Sequence, residues 1–162
     1  MEADDVLDRF LAEATQLVDK LGPLLVQLPP SLSFSADVSG PFLAALRDRF
    51  SGDVALEPRH ATWFGPEADR LVASYRVARV AADPAVVPAA AVPGGRDGLV
   101  YYRLHGSPKD YYSAYADEYL EALEKTLAGT ARSAAVWCIF DNTVAFAATV
   151  NALDVLDRVR GR

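Results

Sequence analysis

The sequence predicts an α/β protein with about five parallel strands and flanking helices. Three observations carry this. Helix-like and strand-like segments alternate along the whole chain. The strand-like segments are short and continuously apolar rather than alternating, the pattern of a parallel sheet covered on both faces. Three of them, VALEPRH (54–60), LVYYRLHG (99–106) and CIFDN (138–142), end in charged or hydrogen-bonding residues. Parallel α/β proteins build ligand sites at the C-terminal ends of their strands. Pattern alone leaves an open doubly wound sheet and part of a barrel as alternatives.

The elements follow in order. Val6, Phe10, Ala14, Leu17 and Leu21 form a helical stripe over 5–21. LLVQL (24–28) is a buried strand closed by Pro29 and Pro30. Pro41 suits the first turn of a helix that carries Phe42, Leu46 and Phe50 inward. DVALEP (53–58) is the next strand, and Pro66 opens a helix with Leu71 and Val72 inward. RVARVAAD (76–83) reads as a strand ending in an aspartate, and residues 84–98, rich in Pro, Ala and Gly, as a loop. LVYYRLH follows as a strand. Asp117 is the expected N-cap of DEYLEALEKTLAG, which Gly129 ends. AAVWCIFD (134–141) is the last strand, and a helix then runs to about Val159 with Arg158 and Arg160 at its C-terminus.

Composition narrows the function classes. The 162 residues are enough for one domain with its own core. A net charge of −6 argues against a nonspecific nucleic-acid or anionic-membrane surface, but leaves room for a local anion site. The single cysteine, Cys138, has no internal partner, which points to a reducing cytoplasm. The start, MEADDVLDRF, lacks the basic-then-apolar order of a signal peptide, and no apolar run is long enough to span a bilayer.

Candidate site residues come from the strand ends. Side chains alternate along a strand, so Glu57 and Arg59 share a side, as do Arg103 and His105. In a parallel sheet Gln27, Glu57, Arg59, Asp83, Arg103, His105 and Asp141 converge at one end. The guanidinium groups suit a carboxylate or phosphate. Glu57, His105 and Asp141 suit acid–base catalysis or metal binding, and His60 is a further acid–base candidate. Gln27, Arg59, His60, Arg103, Tyr112, Tyr115 and Asn142 are the candidate ligand contacts, with Tyr111 a further aromatic for the cleft. Each has a structural alternative. The charges can pair with one another above a core. Gln27 can be a satisfied buried amide, His60 and Asn142 helix caps, and the tyrosines packing residues. No phosphate loop, G-x-S-x-G, H-E-x-x-H or C-x-x-C occurs, and no metal or cofactor is named by local spacing.

Taken together, LGPLLVQLPPS (21–31), LEPRHATWF (56–64), VYYRLHG (100–106), the Tyr112…Tyr115 pair and FDNT…NAL (140–153) resemble the YecE-like family, domain of unknown function 72. The resemblance covers nearly the whole chain, with the motifs in the family's order. It implies a TIM-type (β/α) barrel of unassigned biochemical function. It places Gln27, Glu57, Arg59, His60, Arg103, His105, Asp141 and Asn142 at the family's motif positions, and it carries over no established catalytic residue. Members begin with a segment resembling G-T-S-G-W and further strands, which this chain lacks. The expectation is therefore a single N-terminally truncated domain over 1–162, a partial TIM-type barrel that starts in the helix before the family's fourth strand.

The function expected is binding of a small anionic or phosphate-bearing ligand at the C-terminal face, as a metal-assisted hydrolase or its remnant. The alternative is a non-catalytic interaction or structural module with paired strand-end charges. Open sheet edges would further predict a homo-oligomer or a complementing fragment, with Leu25, Ala55, Val80 and Ile139 left partly in water.

Overall fold

The structure, a computed structural model, describes residues 3–161. Strands β1 (Leu24–Gln27), β2 (Val54–Glu57), β3 (Ala78–Arg79), β4 (Ala81–Asp83), β6 (Leu99–Leu104) and β7 (Ala135–Phe140) are joined by parallel pairings, while the two-residue β5 (Gly94–Gly95) runs antiparallel to β3. The expected strand at 76–83 is thus two short ones. They belong to one run of chain that crosses between sheets: β3 pairs with β2, β4 pairs with β6, and Val80 N–H between them still donates to the Leu56 carbonyl at 2.9 Å. The path β1, β2, β3/β4, β6, β7 is therefore continuous and parallel. Among the described residues β1 and β7 each pair on one side only, and no barrel closes.

Strand parity decides what each face buries. Leu24, Val54 and Leu56 pack with Leu43 and Leu46 of α2 (Ala36–Arg49) and Ala68 and Val72 of α3 (Pro66–Ser74). Leu11 of α1 (Ala3–Ala14) joins them. Tyr102 and Leu104 pack with Leu120, Leu123 and Leu127 of α4 (Asp117–Thr130) and Val155 of α5 (Ala147–Arg160). The opposite face holds a small cluster of strand residues alone, Leu25, Ala55, Val80, Tyr101 and Ile139. The helices therefore cover one face, not the two that the apolar strands suggested. The uncovered face curls on itself. Trp137 of the edge strand β7 reaches Gly22, just before the other edge strand, so closely that a Cβ there would lie 2.7 Å from its ring. This curl corrects the expected exposure. Ala55 and Val80 are fully buried, and only Leu25 and Ile139, on the edge strands, are half-exposed.

Helix boundaries differ from the sequence reading for local reasons. The first helix stops at Ala14 and continues as a 3-10 segment (Thr15–Lys20) broken by Val18 at φ 51°. Pro41 sits inside α2, not in its first turn, because the helix already begins at Ala36 with Asp37 near its positive end. Asp117 is the first residue of α4 rather than its N-cap, which is Ala116, and its carboxylate pairs with Arg158 of α5. The loop at 84–98 holds a 3-10 turn (Pro88–Ala91) as well as β5.

Arg47 ties two helix ends together. Its guanidinium donates to the carbonyls of Tyr75 (2.7 Å), Gly52 (2.6 Å), Arg76 (2.7 Å) and Phe50 (3.2 Å). Only a planar fork serves four acceptors in this way. Arg47→Met should cost about 1–3 kcal/mol, since three part-buried carbonyls lose their donor. Arg47→Lys should recover less than half of the loss. Urea unfolding of the three proteins checks both.

Candidate functional site at the strand ends

Backbone register builds the site before any side chain enters. The ladder continues past the strand ends: Leu28 N–H donates to Glu57 O (3.0 Å), His105 N–H to Asp83 O (2.7 Å) and Asp141 N–H to Leu104 O (2.7 Å). Gln27, Glu57, Arg103 and Asp141 are thereby brought to the same end of the sheet, above the apolar layer of Leu25, Ala55, Tyr101 and Ile139.

Two basic residues and one histidine knit two carboxylates together. Arg103 Nη1 donates to Glu57 Oε2 (2.9 Å) and Gln27 Oε1 (3.2 Å), while Nη2 bonds Asp141 Oδ2. Arg59 Nη1 donates to Glu57 Oε1 at 3.1 Å. His105 lies between both carboxylates, with Nε2 2.9 Å from Glu57 Oε1 and Nδ1 3.1 Å from Asp141 Oδ2. An imidazolium donates to both, and a neutral ring to only one. Arg59 Nη1, 3.1 Å from Nε2, competes for the same corner. Burial pushes the Glu57 carboxyl up, but the hydrogen bond from His105 and the charge of Arg103 outweigh it and hold the group below its usual range.

The cluster is graded in depth. His105 and Glu57 are 0% and 1% exposed. The side chains of Arg103, Arg59 and Asp141 are 11%, 18% and 30% exposed. Above them an open cleft of about 510 Å³ is lined by Gln27, Leu28, Pro29, Pro30, Arg59, Val86 and Tyr111. A separate apolar cavity of about 560 Å³, between α1, α2 and the helix-covered face of the sheet, contains none of the strand-end cluster.

The remaining candidates lie apart from the cleft lining. His60 caps the 3-10 turn Ala61–Phe64, accepting from Thr62 N–H at 3.3 Å. Asn142 is fully buried. Its Nδ2 donates to Ser113 O and Asn151 Oδ1, both at 2.9 Å, and its backbone carbonyl, not its side chain, meets Ala148 N–H at the start of α5. Tyr115 is also buried. Its hydroxyl accepts from Gly106 N–H (2.8 Å) and donates to Asp83 O (3.2 Å), and burial raises its pKa well above the usual phenol. Tyr112 is exposed and carries the Lys109 ammonium over its ring at 3.7 Å. Asp83 is at the predicted strand end, and its buried Oδ2 has no hydrogen-bond partner. Among the described residues no group of three or more His, Cys, Asp or Glu is arranged to hold a metal ion, since the carboxylates face arginines and His105.

Sequence reasoning did not give Tyr111 or Asn151 a leading part. Tyr111 stands out through its place in the cleft lining and its left-handed backbone, φ 66°, which no local pattern announced. Asn151 was visible as a rare amide on an otherwise ordinary helix.

A family described as "Protein of unknown function DUF72" matches residues 1–162. The chain belongs to DUF72. Among solved structures, it resembles a DUF72 family protein from Thermotoga maritima, with 21% identity and a TM-score of 0.80 over 99% of this chain and 66% of that one. Two structures of a DUF72 family protein from Enterococcus faecalis give TM-scores of 0.81 and 0.79 at 20% and 21% identity, again over 99% of this chain and over 67% and 70% of theirs. This DUF72 chain thus spans about two-thirds of the length of these relatives, with the same fold over that span. No curated protein matches it.

Cys138, on β7, faces the α4 side with Val136 and Phe140. Burial pushes its thiol up to about 12. Native labelling by a thiol reagent at neutral pH should be at least tenfold slower than in the urea-unfolded chain, because the thiolate is the reactive form. No helix among the described residues is long and apolar enough to cross a membrane.

Proposed function

We propose that this DUF72 chain binds a small anionic or phosphate-bearing ligand in the cleft at the strand ends, with Arg59 as its first contact. The observation that supports this is the grading of the cluster. Arg103 already bridges both carboxylates, and Glu57 and His105 are sealed beneath, so they set the geometry rather than touch a ligand. Arg59 is the basic side chain that both belongs to the cluster and lines the cleft. A guanidinium there meets an incoming oxyanion by a charge-assisted fork.

Calorimetric titration with inorganic phosphate tests the reading. Binding should be measurable in the wild-type chain and fall at least tenfold in Arg59→Ala. Absence of binding in the wild type would sink it.

A hydrolase is the narrower form of this reading. Asp141 is the most exposed carboxylate of the cluster, and Arg103 and His105 hold it in place. It would move the proton, with His105 as a positioning residue. Turnover of a phosphomonoester that disappears in Asp141→Asn is the corresponding test. The second reading, a purely structural cluster, is favoured by the complete pairing of Glu57 within the protein. It predicts that Arg59→Ala changes stability and no binding. The open edges of β1 and β7 support self-association or pairing with a complementing chain, which sedimentation of the purified protein checks.

A further inference from the structure

Tyr111 carries a backbone conformation that L residues other than Asn and Asp rarely adopt, φ 66°. Such conformations persist where the surroundings over-determine them, and they cluster at ligand sites. Three tethers hold this one. Tyr111 N–H donates to the His105 carbonyl, and Tyr111 O accepts from Val144 N–H at 3.0 Å. The ring meets His105 edge-on, with centroids 5.4 Å apart and planes at 77°. The residue is nevertheless 38% exposed and forms part of the cleft wall. The loop is thus fixed in a strained form that leaves an aromatic surface at the mouth of the polar cluster.

The rest of the wall agrees. Pro29, Pro30 and Val86 are apolar, and the polar lining is confined to Gln27 and Arg59. A cleft of about 510 Å³ is of the size that holds small organic ligands and far exceeds a bare phosphate. From this placement we infer that the cleft takes an anion that carries a planar aromatic ring, with the anionic group on Arg59 and the ring against Tyr111. Tyr111 is then the specificity-determining residue. The inference rests on the anion-binding reading above and names the class of ligand that fills the same site.

Calorimetry on the full chain with inorganic phosphate, phenyl phosphate and glucose 6-phosphate tests it. Phenyl phosphate should bind about tenfold tighter than inorganic phosphate, the usual worth of one aromatic contact. Glucose 6-phosphate should gain less than half of that factor. Tyr111→Gly removes the ring and suits the left-handed backbone, so the variant retains the loop. In it the two phosphates should bind equally, and Tyr111→Phe should restore the margin. Equal affinities in the wild type, a margin that survives Tyr111→Gly, or an equal gain for the sugar phosphate would each overturn the aromatic assignment while leaving anion binding intact. Failure of inorganic phosphate and phenyl phosphate alike to bind would overturn the anion reading, and this inference with it.

Discussion

Glu57→Ala should destabilise the protein by about 3–5 kcal/mol, a large share of the stability of a typical domain. The carboxylate is 1% exposed and receives Arg59, Arg103 and His105. Its removal leaves three basic groups near one another in a poorly solvated corner, which costs far more than the loss of a single contact. Glu57→Gln keeps the shape and one acceptor, so it should lose roughly half as much. Acid titration gives a second readout. The carboxyl is held below its ordinary value, so its contribution is complete above about pH 4.3, the unfolded value, and disappears as pH falls through the lower folded value. Urea unfolding should therefore show a fall in stability from pH 5 toward pH 2 that is shallower in Glu57→Gln. A Glu57→Ala protein within 1 kcal/mol of wild type would mean that the cluster is already hydrated and that its charges stand independently.

The strand ends were legible because their signal is local and has a period of two. Gln27, Glu57, Arg103 and Asp141 follow apolar residues that had to face a core, so a parallel register sufficed to gather them. Arg59 and His105 joined them through one more alternation. Depth was not legible. Nothing in LVYYRLHG says that His105 is sealed while Arg59 reaches the cleft, because burial comes from the loop after β6 folding back, with Tyr111 over the imidazole. The one-sided helix layer was hidden for a related reason. Leu25, Ala55, Val80 and Ile139 are as apolar as helix-facing residues, but they pack against each other across a curled sheet, which buries Ala55 and Val80 fully and Leu25 and Ile139 in part. His60 shows the limit of reading by residue type. A histidine at a strand end looks catalytic, yet its Nδ1 satisfies the Thr62 amide and leaves the cluster to His105.

The loop that seals His105 depends on one amide, and Asn151→Ala should show it. Asn151 is 5% exposed, and its Oδ1 accepts from Tyr115 N–H (3.1 Å) and from Asn142 Nδ2 (2.9 Å). Alanine leaves both donors buried without that acceptor. Each such donor costs about 1–3 kcal/mol, although Asn142 keeps Ser113 O as a partner, so a loss of about 2–4 kcal/mol is expected. The effect should be non-additive. In Asn142→Ala the link to Asn151 is already broken, and a double-mutant cycle should return a coupling of about 1 kcal/mol between the two amides. It should also reach the site. Tyr115 follows Asn151 by its backbone and anchors Gly106 and Asp83 by its hydroxyl, so the loop from Gly106 to Tyr115 should open more readily. Hydrogen exchange at the Tyr111 and Tyr115 amides should accelerate beyond the global loss of stability, whereas amides of β2 should follow the global loss alone. Uniform acceleration throughout the chain would show that Asn151 supports the whole fold and not the cover over His105.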